Sequence, residues 1–157
     1  MSYRQYLGAM QKTTAILILS SFVFTLNAQN KANNKEFISF VKNDSIGKEQ
    51  ITGNEKHIQF FTKYLGKLEL PNKNNYYVIT QFYTVQAALV KHGHSRIIFL
   101  DNDKKTIKIY VLDMRNQLPL SIVRNALIFK FDNKKYKLRI KAELPSMLCL
   151  PNNIGCY

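Results

Sequence analysis

Between Ala126 and Ala142 apolar and charged side chains alternate almost one for one. Leu127, Phe129 and Phe131 share one parity before Asp132-Asn133-Lys134-Lys135, and Tyr136, Leu138 and Ile140 share one parity after it. Lys130, Lys137, Arg139 and Lys141 occupy the intervening positions. Successive side chains of a strand point to opposite faces, so this run predicts an antiparallel hairpin with one face buried and one solvated. Arg96–Leu100 and Thr106–Leu112 flank Asp101-Asn102-Asp103-Lys104-Lys105 and predict a second hairpin by the same turn chemistry. Tyr76–Val85 is dense in aromatic and β-branched residues, the composition of a strand. Gln86–Lys91 fits a strand, and also a helix ending at Gly93; the strand is the preferred reading.

The amino-terminal half reads differently. Phe37, Ile38, Phe40 and Val41 predict a short helix that ends before Asn43, and Asp44–Gly53 reads as a loop. Asn54 then offers an N-cap, Ile58, Phe61 and Leu65 recur at helical spacing, and Gly66 stands where a left-handed terminating residue belongs. Helices first and strands afterwards predict an α+β fold. One or two N-terminal helices would pack on an antiparallel sheet of about five strands. In element order this resembles the helix-on-curved-sheet layout of cystatin-like domains. No shared motif carries that likeness, so it implies an architecture and no function.

The first residues form an address. Arg4 and Lys12 precede the apolar stretch Ala15–Leu26, and Ala28 follows it at the position a signal peptidase prefers. The competing reading is an uncleaved anchor, because Thr13–Asn30 is uncharged, but Ser20, Ser21 and Thr25 dilute it. The expected organisation is a secretory signal peptide over 1–28, a flexible mature amino terminus over 29–35, and one α+β domain over 36–157. Export to a periplasm or the extracellular space would permit disulfides. Both cysteines, Cys149 and Cys156, sit in a turn-rich tail with Pro151 and Gly155 between them, so they are expected to bond and tie that tail down.

The chain carries 23 basic residues against 10 acidic ones, a net charge of +13. An excess of that size bears on solubility and on anionic partners, and leaves the fold undetermined. The Gly-x-Ser-x-Gly elbow, a phosphate-cradling glycine loop and a Cys-x-x-Cys pair are all absent from the sequence. His92-Gly93-His94 is the one local cluster with chemical potential. Residues two apart in extended backbone face the same side, so with Asp101 or Asp103 they could form a metal or catalytic half-site. Acids such as Glu69, Asp113 and Glu143 have no neighbour in sequence to pair with.

The densest surface signal is the cationic parity itself. Lys137, Arg139 and Lys141 would stand about 6.8 Å apart on one strand face, with Lys130 alongside, a pitch able to track an anionic polymer. Aromatic residues fall on the opposite parity, which argues against reading of nucleic-acid sequence. The expectation is an exported non-enzymatic binding module. It would meet an anionic polysaccharide, membrane surface or protein through Lys130, Lys137, Arg139 and Lys141, with no cofactor and no resident metal. The alternative is a small hydrolase or metal-dependent enzyme using His92, His94 and Asp101.

Overall fold

Strands account for most of the chain in a computed structural model that describes residues 37–41, 45–54, 58–71, 74–87 and 90–157. Five of them form an antiparallel meander in sequence order: β1 (Glu49–Asn54), β2 (Ile58–Glu69), β3 (Asn75–Ala87), β4 (Val90–Leu100) and β5 (Thr106–Leu112). A second sheet joins β6 (Ser121–Val123), β7 (Ala126–Phe131) and β8 (Lys134–Arg139), and β9 (Cys149–Leu150) pairs with β10 (Gly155–Cys156). Among the described residues the helical pieces are one turn at 37–41 and two 3-10 turns, Arg115–Gln117 and Pro151–Asn153. The α+β expectation, with helices on a sheet of about five strands and its cystatin-like layout, is therefore corrected: the fold is three antiparallel sheets.

The correction turns on β2, the segment read as the second helix. Ile58, Phe60, Phe61, Thr62 and Tyr64 favour extended backbone, and β2 has a hydrogen-bonded neighbour on each side. Phe60 pairs with Tyr83 and Phe61 with Phe82, their ring centroids 5.5 and 5.8 Å apart. Gly66, read as a helix terminator, instead follows a bulge between Tyr64 and Gly66 and takes a φ of +113°. One extra residue flips the parity of a strand. The spacing of Ile58, Phe61 and Leu65 is fortuitous: Ile58 and Phe61, three apart in unbroken register, face opposite sides, and Leu65 is the extra residue of the bulge. Asp44–Gly53 is likewise only partly a loop, since β1 begins at Glu49. The described turn at 37–41 agrees with the short helix expected there, and it buries Phe37 and Phe40.

The hairpins expected from alternation are present. β7 and β8 meet through two residues only, Asp132 (φ 48°) and Asn133 (φ 61°), with Phe131 opposite Lys134. Arg124 (φ 48°) and Asn125 (φ 58°) make the same two-residue turn between β6 and β7, which the sequence reading missed. Paired positive φ values match the twist of the flanking strands, and Asn and Asp tolerate them best. The main core lies between the two larger sheets. Val78, Ile97, Phe99, Tyr110 and Leu112 meet Leu127, Phe129, Phe131 and Ile140, with Leu148 and Leu150 of the tail alongside. Full burial of each such side chain is worth roughly 1.5–3 kcal/mol. Tyr64, Ile79, Ile98 and Leu100 form a second cluster with Phe37 and Phe40.

Cys149 and Cys156 face each other across β9 and β10 and are disulfide-bonded, with Cα atoms 3.9 Å apart. That pairing was legible in the sequence. No helix among the described residues is long and apolar enough to cross a membrane. The expected signal peptide, the 29–35 segment, Asn43, Glu55, His57 and residues 88–89 lie outside the described residues.

Candidate functional site

The β8 strand sorts its side chains as the alternation required, whereas on β7 Ala126 and Ile128, of the same parity as Lys130, are buried too. Leu127, Phe129 and Phe131 enter the core, while Lys130 is exposed on the other face. Across the ladder Lys130 stands opposite Lys135, Ile128 opposite Lys137, and Ala126 opposite Arg139. Directly opposed residues lie about 5 Å apart and alternate residues along a strand about 6.8 Å apart, so Lys130, Lys135, Lys137 and Arg139 share one small outer face. Ion pairs among the described residues join Lys67 to Glu69, Lys105 to Asp103 and Arg115 to Glu49, and none of these draws on this face. Like charges directly opposite destabilise a ladder, which marks Lys130 opposite Lys135 as a tolerated cost. The sequence reading left Lys135 in the turn, because it assigned that turn four residues. The two-residue turn starts β8 at Lys134 and brings Lys135 onto the face.

Lys141 is not on that ladder. It follows Ile140, beyond the end of β8, and is exposed. With Arg139 and Arg124 it lines a cleft of about 470 Å³, whose other polar members are Asn125 and Glu69. Asn125 Oδ1 accepts the Glu69 backbone N–H at 3.2 Å, tying the β6–β7 turn to the end of β2. The Glu69 carboxylate is 3.3 Å from Lys67 Nζ. The cleft therefore holds three cations and a single carboxylate that already has a partner. It continues the hairpin's charged face through Arg139.

His92 and His94 are exposed on one face of β4, so their segment is a strand and no turn. The His94 ring stacks on Tyr83 with centroids 5.0 Å apart, and the Arg96 guanidinium lies 5.3 Å from the same ring. Asp101 closes the far end of β4, where its carboxylate accepts the Lys105 backbone N–H at 2.8 Å. Seven residues of strand separate it from His94, about 23 Å. The structure thus brings His92 and His94 to one side and leaves Asp101 away from them. Among the described residues no group of three or more His, Cys, Asp or Glu side chains is placed to hold a metal.

Two polar arrangements come from residues far apart in the chain. On β2, β3 and β4, Gln81 donates to Thr62 Oγ1 at 2.8 Å and accepts from Arg96 Nε at 2.8 Å, a polar rung across a sheet. Near the tail, Tyr157 donates its phenol proton to Asp113 Oδ2 at 2.8 Å and accepts from Gln117 Nε2 at 2.8 Å. Gln117 Oε1 accepts the backbone N–H groups of Asp113 and Met114 at 2.9 and 3.0 Å. The bond to Asp113 raises the Tyr157 pKa, with desolvation adding to it. Asp113 and Tyr157 are 44 residues apart, so no local pattern could have joined them.

Comparison with protein-family models, with curated protein sequences and with solved structures found no significant match.

Proposed function

We propose that the protein is a non-enzymatic binding module that engages an anionic polysaccharide through the outer face of the β7–β8 hairpin. The observation that supports this reading is the cationic row itself. Lys130, Lys135, Lys137 and Arg139 project from a rigid two-residue hairpin, unpaired with any described carboxylate, and run into the cleft of Arg124 and Lys141. The disulfide fits an oxidising setting, and the proposed place of work is the cell envelope or the extracellular space after removal of residues 1–28.

The test is a titration with a heparin-like polymer across salt. Each neutralised charge releases counterions, so log affinity should fall linearly with log salt. Replacing Lys130, Lys137, Arg139 and Lys141 by Gln should flatten that slope and weaken binding without lowering the melting temperature, because no core contact is lost and four mutually repelling charges are removed. Anionic vesicles serve as the second arm; preference for them over the polymer would move the reading to a membrane surface. A quadruple variant that binds like the parent at low salt would leave the face as ordinary solvated surface.

A further inference from the structure

The Asp113–Tyr157 network lies in a cleft of about 760 Å³ that adjoins the cationic row at Lys130 and sets two carboxylates against that one cation. Its walls come from four places: Asp113 and Met114 ahead of the first 3-10 turn, Lys130 and Phe131 at the end of β7, the β7–β8 turn with Asp132 and Asn133, and the tail with Tyr157. Volumes of this size suit a small organic ligand. Gln117 is buried and spends both ends of its amide inside the network, so Asp113 and Tyr157 are held before any ligand arrives. Fixing polar groups in advance lowers the entropy lost on binding. Among the described residues Asp113 accepts the Tyr157 phenol through Oδ2, which leaves Oδ1 available.

The chemistry of the walls selects the ligand. Ionised carboxylates only accept hydrogen bonds, and the Asn133 amide both gives and accepts. Asp113 and Asp132 therefore call for a ligand rich in donors, either hydroxyls or ammonium groups. The whole molecule carries +13, so its field opposes the approach of a cation. A polyanion is disfavoured within the cleft, where the two carboxylates outnumber Lys130. A neutral molecule with adjacent hydroxyls remains, and the Tyr157 ring and the exposed Met114 side chain offer it apolar surface. We propose that this cleft binds a neutral saccharide, with Asp113 and Asp132 accepting ring hydroxyl protons. The tail bond gains a role from this. Cys156 precedes Tyr157, and Tyr157 exchanges backbone hydrogen bonds with Leu148, so the Cys149–Cys156 bridge holds one wall of the cleft in place.

The experiment is calorimetric titration of the intact, oxidised protein with neutral, amino and uronate oligosaccharides, each up to roughly 10 mM, which covers the weak range of saccharide affinities. A neutral sugar should bind, with little dependence on salt. Asp132→Asn is the cleanest variant, because Asn suits a turn residue with φ near +48°. It and Tyr157→Phe should each weaken binding about tenfold, the scale of one hydrogen bond to a charged group. Reduction of the disulfide should weaken it as well. Lys137→Gln should leave it unchanged and so separate this site from the polymer-binding face. Absence of binding by every neutral sugar, binding confined to amino sugars, or neutral-sugar binding indifferent to both Asp132→Asn and Tyr157→Phe would overturn the proposal.

Discussion

Gly93 shows how much one side chain's absence can decide. A Cβ there would sit 2.8 and 2.9 Å from two ring carbons of Phe82, so the ring lies directly over the glycine. Arg115 in turn lies 5.0 Å from the Phe82 ring centre and 4.7 Å from that of Phe61. Gly93→Ala should displace the ring and loosen the Arg115 contact, lowering stability by about 1 kcal/mol despite a better strand propensity. A thermal melt checks this, and an unchanged or raised melting temperature would mean the ring swings aside freely. Tyr110 is the second telling residue. It is buried, packs edge-on against Phe99, donates its hydroxyl to the Pro145 carbonyl, and has its pKa pushed up to about 12 by desolvation. The raised value means its contribution is fully present below the ordinary phenol pKa near 10. It is lost as pH rises through about 12. Allowing for solvent screening, the loss should be on the order of 1–2 kcal/mol. Urea melts between roughly pH 9 and 12 would read it, and Tyr110→Phe should be less stable at neutral pH yet decline less steeply.

Among the elements, the disulfide hairpin is the least able to stand alone. β9 and β10 contribute two residues each, too few for a ladder to persist without a cross-link. Closing so short a loop limits the stabilisation to about 2.5 kcal/mol by the chain-entropy estimate. Cys149→Ser with Cys156→Ser should lower stability by about that amount without unfolding the two larger sheets, as melting with a thiol assay would report. A loss of cooperative folding would show that the tail supports Leu148 and Leu150 in the core more strongly than the loop argument allows. The hairpins were legible because their evidence is local: alternation plus turn residues. β2 was misread because Ile58, Phe61 and Leu65 fall at helical intervals with Gly66 after them, and only the β1 and β3 ladders on its two sides decide for a strand.

At the scale of the molecule, charge is the dominant variable. A net +13 repels itself, and the described ion pairs are exposed surface contacts worth about 0–1 kcal/mol each. Raising ionic strength from ~0.01 M to ~0.15 M shortens the screening length from about 30 to about 8 Å. The isolated protein should therefore melt several degrees higher at the upper value. A melting temperature that falls with salt would show that local attractions outweigh the global repulsion. The same salt should weaken polymer binding, so stability and that affinity should move in opposite directions.

Taken by itself, the amino-acid sequence determined the hairpin of alternating Leu127, Phe129, Phe131 and Lys130, the β4–β5 hairpin and the disulfide. Each depends on residues close together in the chain, where side-chain parity and turn chemistry act directly. Most of the cationic row was readable for the same reason. Tertiary structure alone decided the strand at Ile58–Glu69, the pairing of Lys135 with Lys130, the separation of Asp101 from His92 and His94, and the meeting of Asp113 with Tyr157. In those cases the partner lies across a sheet or at the other end of a strand. Register and packing then settle what local propensity leaves open.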